Sequence, residues 1–135
     1  MPDIDFGRIS ESLNEKSDRD LRNVDTTAKA DAVIDYQEPT SANNYTWYRK
    51  YKSGWVEQGG YYYAGTSVAG AHNISFPVPF ANINYQSLLS VLHDSDGGSP
   101  NDISEVFPSR TTTTMRIYVR AGWCGYVWRV SGMAA

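Results

Sequence analysis

Apolar positions along the chain change period once. Phe6, Ile9 and Leu13 recur at helical spacing, with Arg8, Glu11, Glu15 and Lys16 among the charges around them, and this predicts a short polar helix with a narrow apolar stripe within residues 6–24. Lys16 and Asp20 interrupt the stripe before Leu21 and Val24 resume it. A helix this short is marginal alone. Two arrangements rescue it: identical copies burying the stripe as a few turns of coiled coil, or the helix lying on its own domain. Asp25-Thr26-Thr27 breaks the pattern, and from there the periodicity belongs to strands.

Ala32 to Gln37 reads as the first strand. Residues 45–51 and 55–58 flank Lys52-Ser53-Gly54, a three-residue connection with glycine last, which predicts a hairpin. Gly59-Gly60 is expected to end or kink its second arm before Tyr61-Tyr62-Tyr63, and Gly65 to Gly70 reads as a loop of small residues. Ile74, Phe76, Val78 and Phe80 alternate with Ser75, Pro77, Pro79 and Ala81, the period-two pattern of a strand with one buried face. Its prolines confine it to a sheet edge or a strand end. Tyr85 to His93, Thr111 to Arg120 and Tyr126 to Ser131 supply further strands, and Asp94 to Asp102 is nearly pure turn chemistry, expected to be the longest exposed loop. Six or seven short strands without helical period after residue 30 predict an all-β fold. The expected form is a small antiparallel β-sandwich head over 31–135, preceded by a helical stub over 1–30.

The 135 residues suffice for one domain, and with 41% apolar and 20% charged residues the composition is that of a soluble globular protein. The net charge is -3 and the 12 basic residues are scattered, which argues against a nucleic-acid partner. Cys124 is the only cysteine, so no intramolecular disulfide forms; a buried apolar role and maturation in a reducing cytoplasm are expected. No secretory pattern stands at the start and no apolar run approaches the roughly 18 residues of a membrane span, so no membrane insertion is expected. Ten Tyr and four Trp against four Phe make aromatics with a polar handle dominant. Such side chains favour strands and half-wet binding surfaces.

Catalytic constellations do not emerge. The histidines, His72 and His93, have no metal-ligand partner at i+2, i+3 or i+4, which argues against a single-chain zinc site and leaves three copies of one His on a threefold axis as an alternative. Asp94-x-Asp96-Gly97 opens like a calcium loop but lacks the later acceptors and the terminal Glu. Glu57, Asp94, Asp96, Asp102 and Glu105 are available carboxylates that no motif orders. Asn44-Tyr45-Thr46 and Asn73-Ile74-Ser75 match the glycosylation pattern and read more simply as polar strand-edge residues. The expectation is a protein with no enzymatic activity, no cofactor and no metal.

Four stretches, in order over nearly the whole chain, carry a resemblance. Ser12 to Asp25 contains Leu13-Asn14, Asp18-Arg19-Asp20 and Asn23-Val24-Asp25; Tyr48 to Gly60 has an aromatic, small-Gly-Trp, hydrophobic-Glu-Gln-Gly pattern; Phe76-Pro77-Val78-Pro79-Phe80 precedes Tyr85; and Trp128 to Gly132 closes the series. Together they resemble the C-terminal receptor-binding head domains of bacteriophage tail-fibre proteins. The resemblance implies a β-sandwich head at the tip of a fibre and a homotrimer, with a place on the virion after assembly in the bacterial host cytoplasm; the stripe of Phe6, Ile9 and Leu13, too small to fold alone, is the expected trimerisation contact. It also implies adhesion without catalysis, the partner being a bacterial surface polysaccharide or an outer-membrane protein. The rival readings are a trimerisation cap without receptor specificity and, further off, a polysaccharide depolymerase. Trp55 and Phe76 are expected in the core. Receptor contact is expected on loops free to vary, at Ser67, His72, Asp94, Asp96 and Asp102 with Tyr62 and Trp123 nearby.

Overall fold

The computed structural model describes residues 31–96 and 102–135. The N-terminal helix with Phe6, Ile9 and Leu13, and residues 97–101 of the long loop, lie outside the described residues. Among the described residues eight strands form: β1 Val33–Gln37, β2 Trp47–Tyr51, β3 Trp55–Tyr63, β4 Gly70–Ser75, β5 Gln86–Leu92, β6 Ile103–Glu105, β7 Thr114–Val119 and β8 Gly125–Met133. They make two sheets, one of five strands in the order β1-β2-β3-β8-β5 and one of three in the order β4-β7-β6, with every pairing antiparallel. The fold is all-β, as the strand periodicity predicts.

The core lies between the sheets. Val56 and Gln58 of β3 and Trp128 and Val130 of β8 face Ile74 of β4 and Met115, Ile117 and Val119 of β7, all buried. Alternation is cleanest in β7, where Met115, Ile117 and Val119 point inward and Arg116 and Tyr118 outward. Phe76, Phe80 and Tyr85 close one end of the core, their rings 4.7–5.3 Å apart.

The β2–β3 hairpin forms as its glycine predicts: Gly54 has a φ of 94°, a left-handed conformation that a Cβ disfavours. Gly59-Gly60, however, does not end the second arm. β3 runs straight through both glycines, because each lies beneath an indole from the strand beside it. Trp47 pairs with Gly59 and covers it on the outer face, while Trp128 pairs with Gly60 and covers it on the inner. A Cβ on Gly59 would stand 2.7 Å from the Trp128 carbonyl and 3.0 Å from the Trp47 ring. The pair of glycines that resembles a break is the space in which two tryptophans pack.

The alternating segment 74–81 is likewise not one strand. β4 ends at Ser75, and Phe76 to Phe80 continues as a docked irregular stretch that keeps the burial alternation, with Phe76 and Phe80 inside and Pro77 and Pro79 outside. Proline cannot donate to a ladder. The free groups of Val78 find a side chain instead: Gln58 Nε2 donates to the Val78 carbonyl at 2.8 Å, and the Val78 N–H donates to Gln58 Oε1 at 3.0 Å. Gln58, fully buried, thus acts as a one-residue strand for its neighbour. β6, three residues long, was too short to show a period in the sequence. Trp55 is a further correction: it is 36% exposed, because the parity that buries Val56 and Gln58 turns Trp55 to the outer face.

Candidate functional site

The registers of Tyr63 and Leu92 with Gly125, and of Gly70 and Ile103 with Val119, put the ends of β3, β5 and β7 and the starts of β4, β6 and β8 at one end of the molecule. Three connections meet there: 64–69, 120–124, and the described residues 93–96 and 102 of the long loop. Short strands with polar, glycine-rich joints force this, since each chain reversal must leave the sheets where backbone groups can reach other partners.

Those partners are largely one another. The Val68 N–H donates to the Trp123 carbonyl at 2.8 Å, the Gly122 N–H to Ser67 Oγ at 3.2 Å, and the Arg120 N–H to the Asp102 carbonyl at 3.0 Å. Trp123 organises the cluster. Its ring is buried, its Nε1 donates to Asp102 Oδ2 at 2.7 Å, and the edge of the His93 ring meets it with centroids 4.6 Å apart. His72 donates from Nε2 to the Val68 carbonyl at 2.6 Å and tilts against Tyr126, which in turn tilts against Tyr62. Ser67, His72, Asp102, Tyr62 and Trp123, scattered over 62 residues of sequence, therefore share this end of the fold, and Asp94 joins them through His93 at 3.2 Å. Among the described residues Asp96 is exposed. Trp123 and Asp102 are tied to each other inside the cluster and so shape the surface, while Ser67, Tyr62, Asp94 and Asp96 present themselves to solvent.

Sequence reasoning missed two features. The first is the grouping of His93, Asp94 and Cys124, whose donor atoms all lie within 4.8 Å of one another. No spacing rule finds it, because Cys124 lies just before β8 and the other two just after β5. Both Cys124 Sγ, at 3.9 Å, and Asp94 Oδ1, at 3.2 Å, approach the same ring nitrogen, Nδ1. A nucleophile relay places base and orienting group on opposite nitrogens, so this is not the geometry of a catalytic triad.

The second feature is Tyr45, which joins the run Tyr61-Tyr62-Tyr63 in one aromatic surface. Asn44 and Tyr45 both have φ near 56°, in the left-handed region, at the end of the turn Ser41–Asn43. That conformation brings Tyr45 onto Tyr61, ring centroids 4.5 Å apart and 15° from parallel. Tyr61 to Tyr63 are all exposed in the single chain, and Asn44, Tyr45 and these three tyrosines line an open cleft of about 350 Å³.

The carboxylates left unordered by motif are mostly committed. Glu57 accepts from Arg129 at 3.2 Å. Glu105 accepts from Arg110 Nε at 2.6 Å and Nη2 at 2.9 Å, and from the Ser87 hydroxyl. Burial pushes Glu105 up, but the hydrogen bonds from Arg110 and Ser87 and the guanidinium charge outweigh it and hold its carboxyl below the ordinary range. Arg110 also donates to the Ile83 and Tyr85 carbonyls and lies over the Tyr85 ring, so this pair is a clamp between β5 and β6.

No family profile and no curated protein sequence matches the chain. Solved structures do. An N-truncated R2-type pyocin tail fibre superposes with a TM-score of 0.53 and 17% identity over 75% of this chain and 39% of that one. The C-terminal part of the R2 pyocin fibre of P. aeruginosa gives the same TM-score and identity over 75% and 26%. An N-truncated R1-type pyocin tail fibre gives 0.50 and 13% identity over 98% of this chain and 99% of that one. The chain thus spans well under half of either R2 structure. The fold of its two antiparallel sheets is one found in the tail fibres of R-type pyocins.

Proposed function

We propose that this chain is the tip of a phage or phage-like tail fibre, attaching the particle to a bacterial surface as a non-catalytic homotrimer. The observation that carries the reading is the shared fold with pyocin tail fibres. The loop end supports it further: a rigid two-sheet scaffold gathers three connections and an adjoining tyrosine cleft on one side, the arrangement in which contacts can differ between relatives without disturbing the core. Glu57 and Glu105 are neutralised by arginines, which leaves neither free as the acid or base of a depolymerase.

Trimerisation is supported by apolar side chains that one copy leaves in water. Ile34 is 59% exposed, Leu88 70% and Phe107 61%, and neighbouring copies would cover such residues. The ligand is a bacterial surface polysaccharide or an outer-membrane protein, met by Tyr62, Ser67, His72, Asp94 and Asp96. The deciding experiment is binding of the purified chain to whole cells across a panel of bacterial strains, repeated on strains lacking surface polysaccharide or individual outer-membrane proteins. Strain-selective binding abolished by one such deletion is expected. A properly folded chain that binds no strain would leave the fibre-cap reading in its place.

A further inference from the structure

We propose that His93, Asp94 and Cys124 bind a divalent transition-metal ion, with Zn2+ the ion their chemistry suits. The three donors are an imidazole nitrogen, a carboxylate oxygen and a sulfur, and they converge. Cys124 Sγ and Asp94 Oδ1 lie 3.9 Å and 3.2 Å from His93 Nδ1, and all three atoms fall within 4.8 Å of one another. A tetrahedral zinc ion with bonds of about 2.0–2.3 Å holds its donors roughly 3.3–3.6 Å apart. The closure required is an ångström or so at the widest pair and a few tenths elsewhere. That both neighbours approach one ring nitrogen is the arrangement of ligands around a common centre.

The backbone beneath the donors is fixed. The Cys124 N–H donates to the Leu92 carbonyl at 3.0 Å, and the Cys124 carbonyl accepts from the Ala64 N–H at 2.8 Å, so the residue is pinned between the ends of β5 and β3. The His93 ring leans on Trp123, itself anchored through Nε1 to Asp102 at 2.7 Å. Ligand orientation of this kind, set by groups behind the ligands, is what metal sites require.

Charge and softness choose the ion. A thiolate and a carboxylate with a neutral imidazole carry two negative charges against two positive, and the Cys124 thiol releases its proton to solvent when the ion binds. A sulfur and a nitrogen among three ligands disfavour calcium and magnesium, which take oxygen. Cys124 is buried, while the Asp94 side chain is 53% exposed, so the fourth coordination position faces solvent and takes water or a ligand oxygen. The bound ion would staple the end of β5 to the start of β8 at the root of the long loop.

The test uses the full chain without a histidine tag, reduced and freed of metal by a chelator. Calorimetric titration with Zn2+ is expected to show one ion per chain, with proton release, and a raised melting temperature. Co2+ is expected to give a thiolate-to-metal charge-transfer band, which can arise only from Cys124. That band should vanish in Cys124→Ser, and Zn2+ binding should be lost in His93→Gln and weakened in Asp94→Asn. His93→Gln and Asp94→Asn alter surface side chains, so they report on the site even if Cys124→Ser unfolds. No saturable Zn2+ binding by the parent, a surviving charge-transfer band in Cys124→Ser, or unchanged affinity in His93→Gln would each overturn the assignment. Cell binding plays no part in these readouts, so failure here and failure of the fibre-tip reading are separate results.

Discussion

Gln58 shows how much one side chain can decide. It is fully buried, and its amide satisfies both backbone groups of Val78, which the flanking prolines keep out of any ladder. Gln58→Leu preserves the bulk and strips both partners away. Each buried polar group left unpaired costs about 1–3 kcal/mol, so for the two groups of Val78 chemical denaturation is expected to show a loss of about 2–6 kcal/mol. A variant as stable as the parent would mean the 76–80 stretch is held by its phenylalanines alone. Those phenylalanines matter in their own right. Phe76 is 7% exposed and packs against Phe80, Tyr85 and Trp128, so Phe76→Ala should cost about 3–5 kcal/mol. Trp55→Ala, at a side chain 36% exposed, should cost clearly less by the same chemical denaturation, although the two residues read alike in sequence.

Between elements, the Glu105–Arg110 pair joins β5, β6 and the turn at Phe107–Ser109 through a two-point ion pair whose side chains are 11% and 9% exposed. The folded state lowers the Glu105 pKa below its ordinary value of 4.5. A depressed carboxylate stabilises the fold at pH above its unfolded value, and that stability drains away as the pH falls through the folded value. Melting temperature is therefore expected to be level near neutrality and to fall as pH drops below about 4.5. Glu105→Gln should start lower at pH 7 and show a shallower acid decline. An acid profile identical in the two proteins would remove Glu105 from the account. Arg110→Ala leaves a buried carboxylate without its cation, a change that typically costs about 3–5 kcal/mol.

At the scale of the whole molecule, the sheets form a scaffold and one end gathers the loops to which the proposed receptor contact is assigned. Tyr62→Ala and Asp96→Ala change exposed side chains, so each is expected to reduce adsorption to host cells while leaving the melting temperature within a degree or two. Trp123→Ala is expected to do the opposite first, lowering stability, because the indole is the hub to which Asp102, His93 and the 64–69 connection attach. Equal adsorption by the parent and both surface variants would move the contact to another face. Light scattering on the full chain is expected to give three times the 15.1 kDa chain mass. A monomer that still binds cells would remove avidity, worth roughly 10²–10⁴ for linked sites, from the mechanism.

Residues 33–37, 47–51 and 114–119 were legible as strands because alternation and β-branched or aromatic content are local properties, and local geometry alone selects a period of two. The hairpin at Gly54 was legible for the same reason. Gly59-Gly60 and Phe76 to Phe80 were not, since a glycine that breaks a strand and one that makes room for an indole look identical until the neighbouring strand is in place. The loop residues that meet at one end could be guessed as exposed from turn chemistry, but their convergence follows from strand register. Cys124 is the sharpest case. As a sequence it is a lone thiol 31 residues from the nearest histidine, and only the pairing of β5 with β8 carries it to His93 and Asp94. Sequence determined that the chain past residue 30 extends in short strands and, where alternation is clean as in β7, which side faces the core; the antiparallel pairing of distant strands, which no local pattern encodes, decided which face Trp55 takes and which polar side chains stand together.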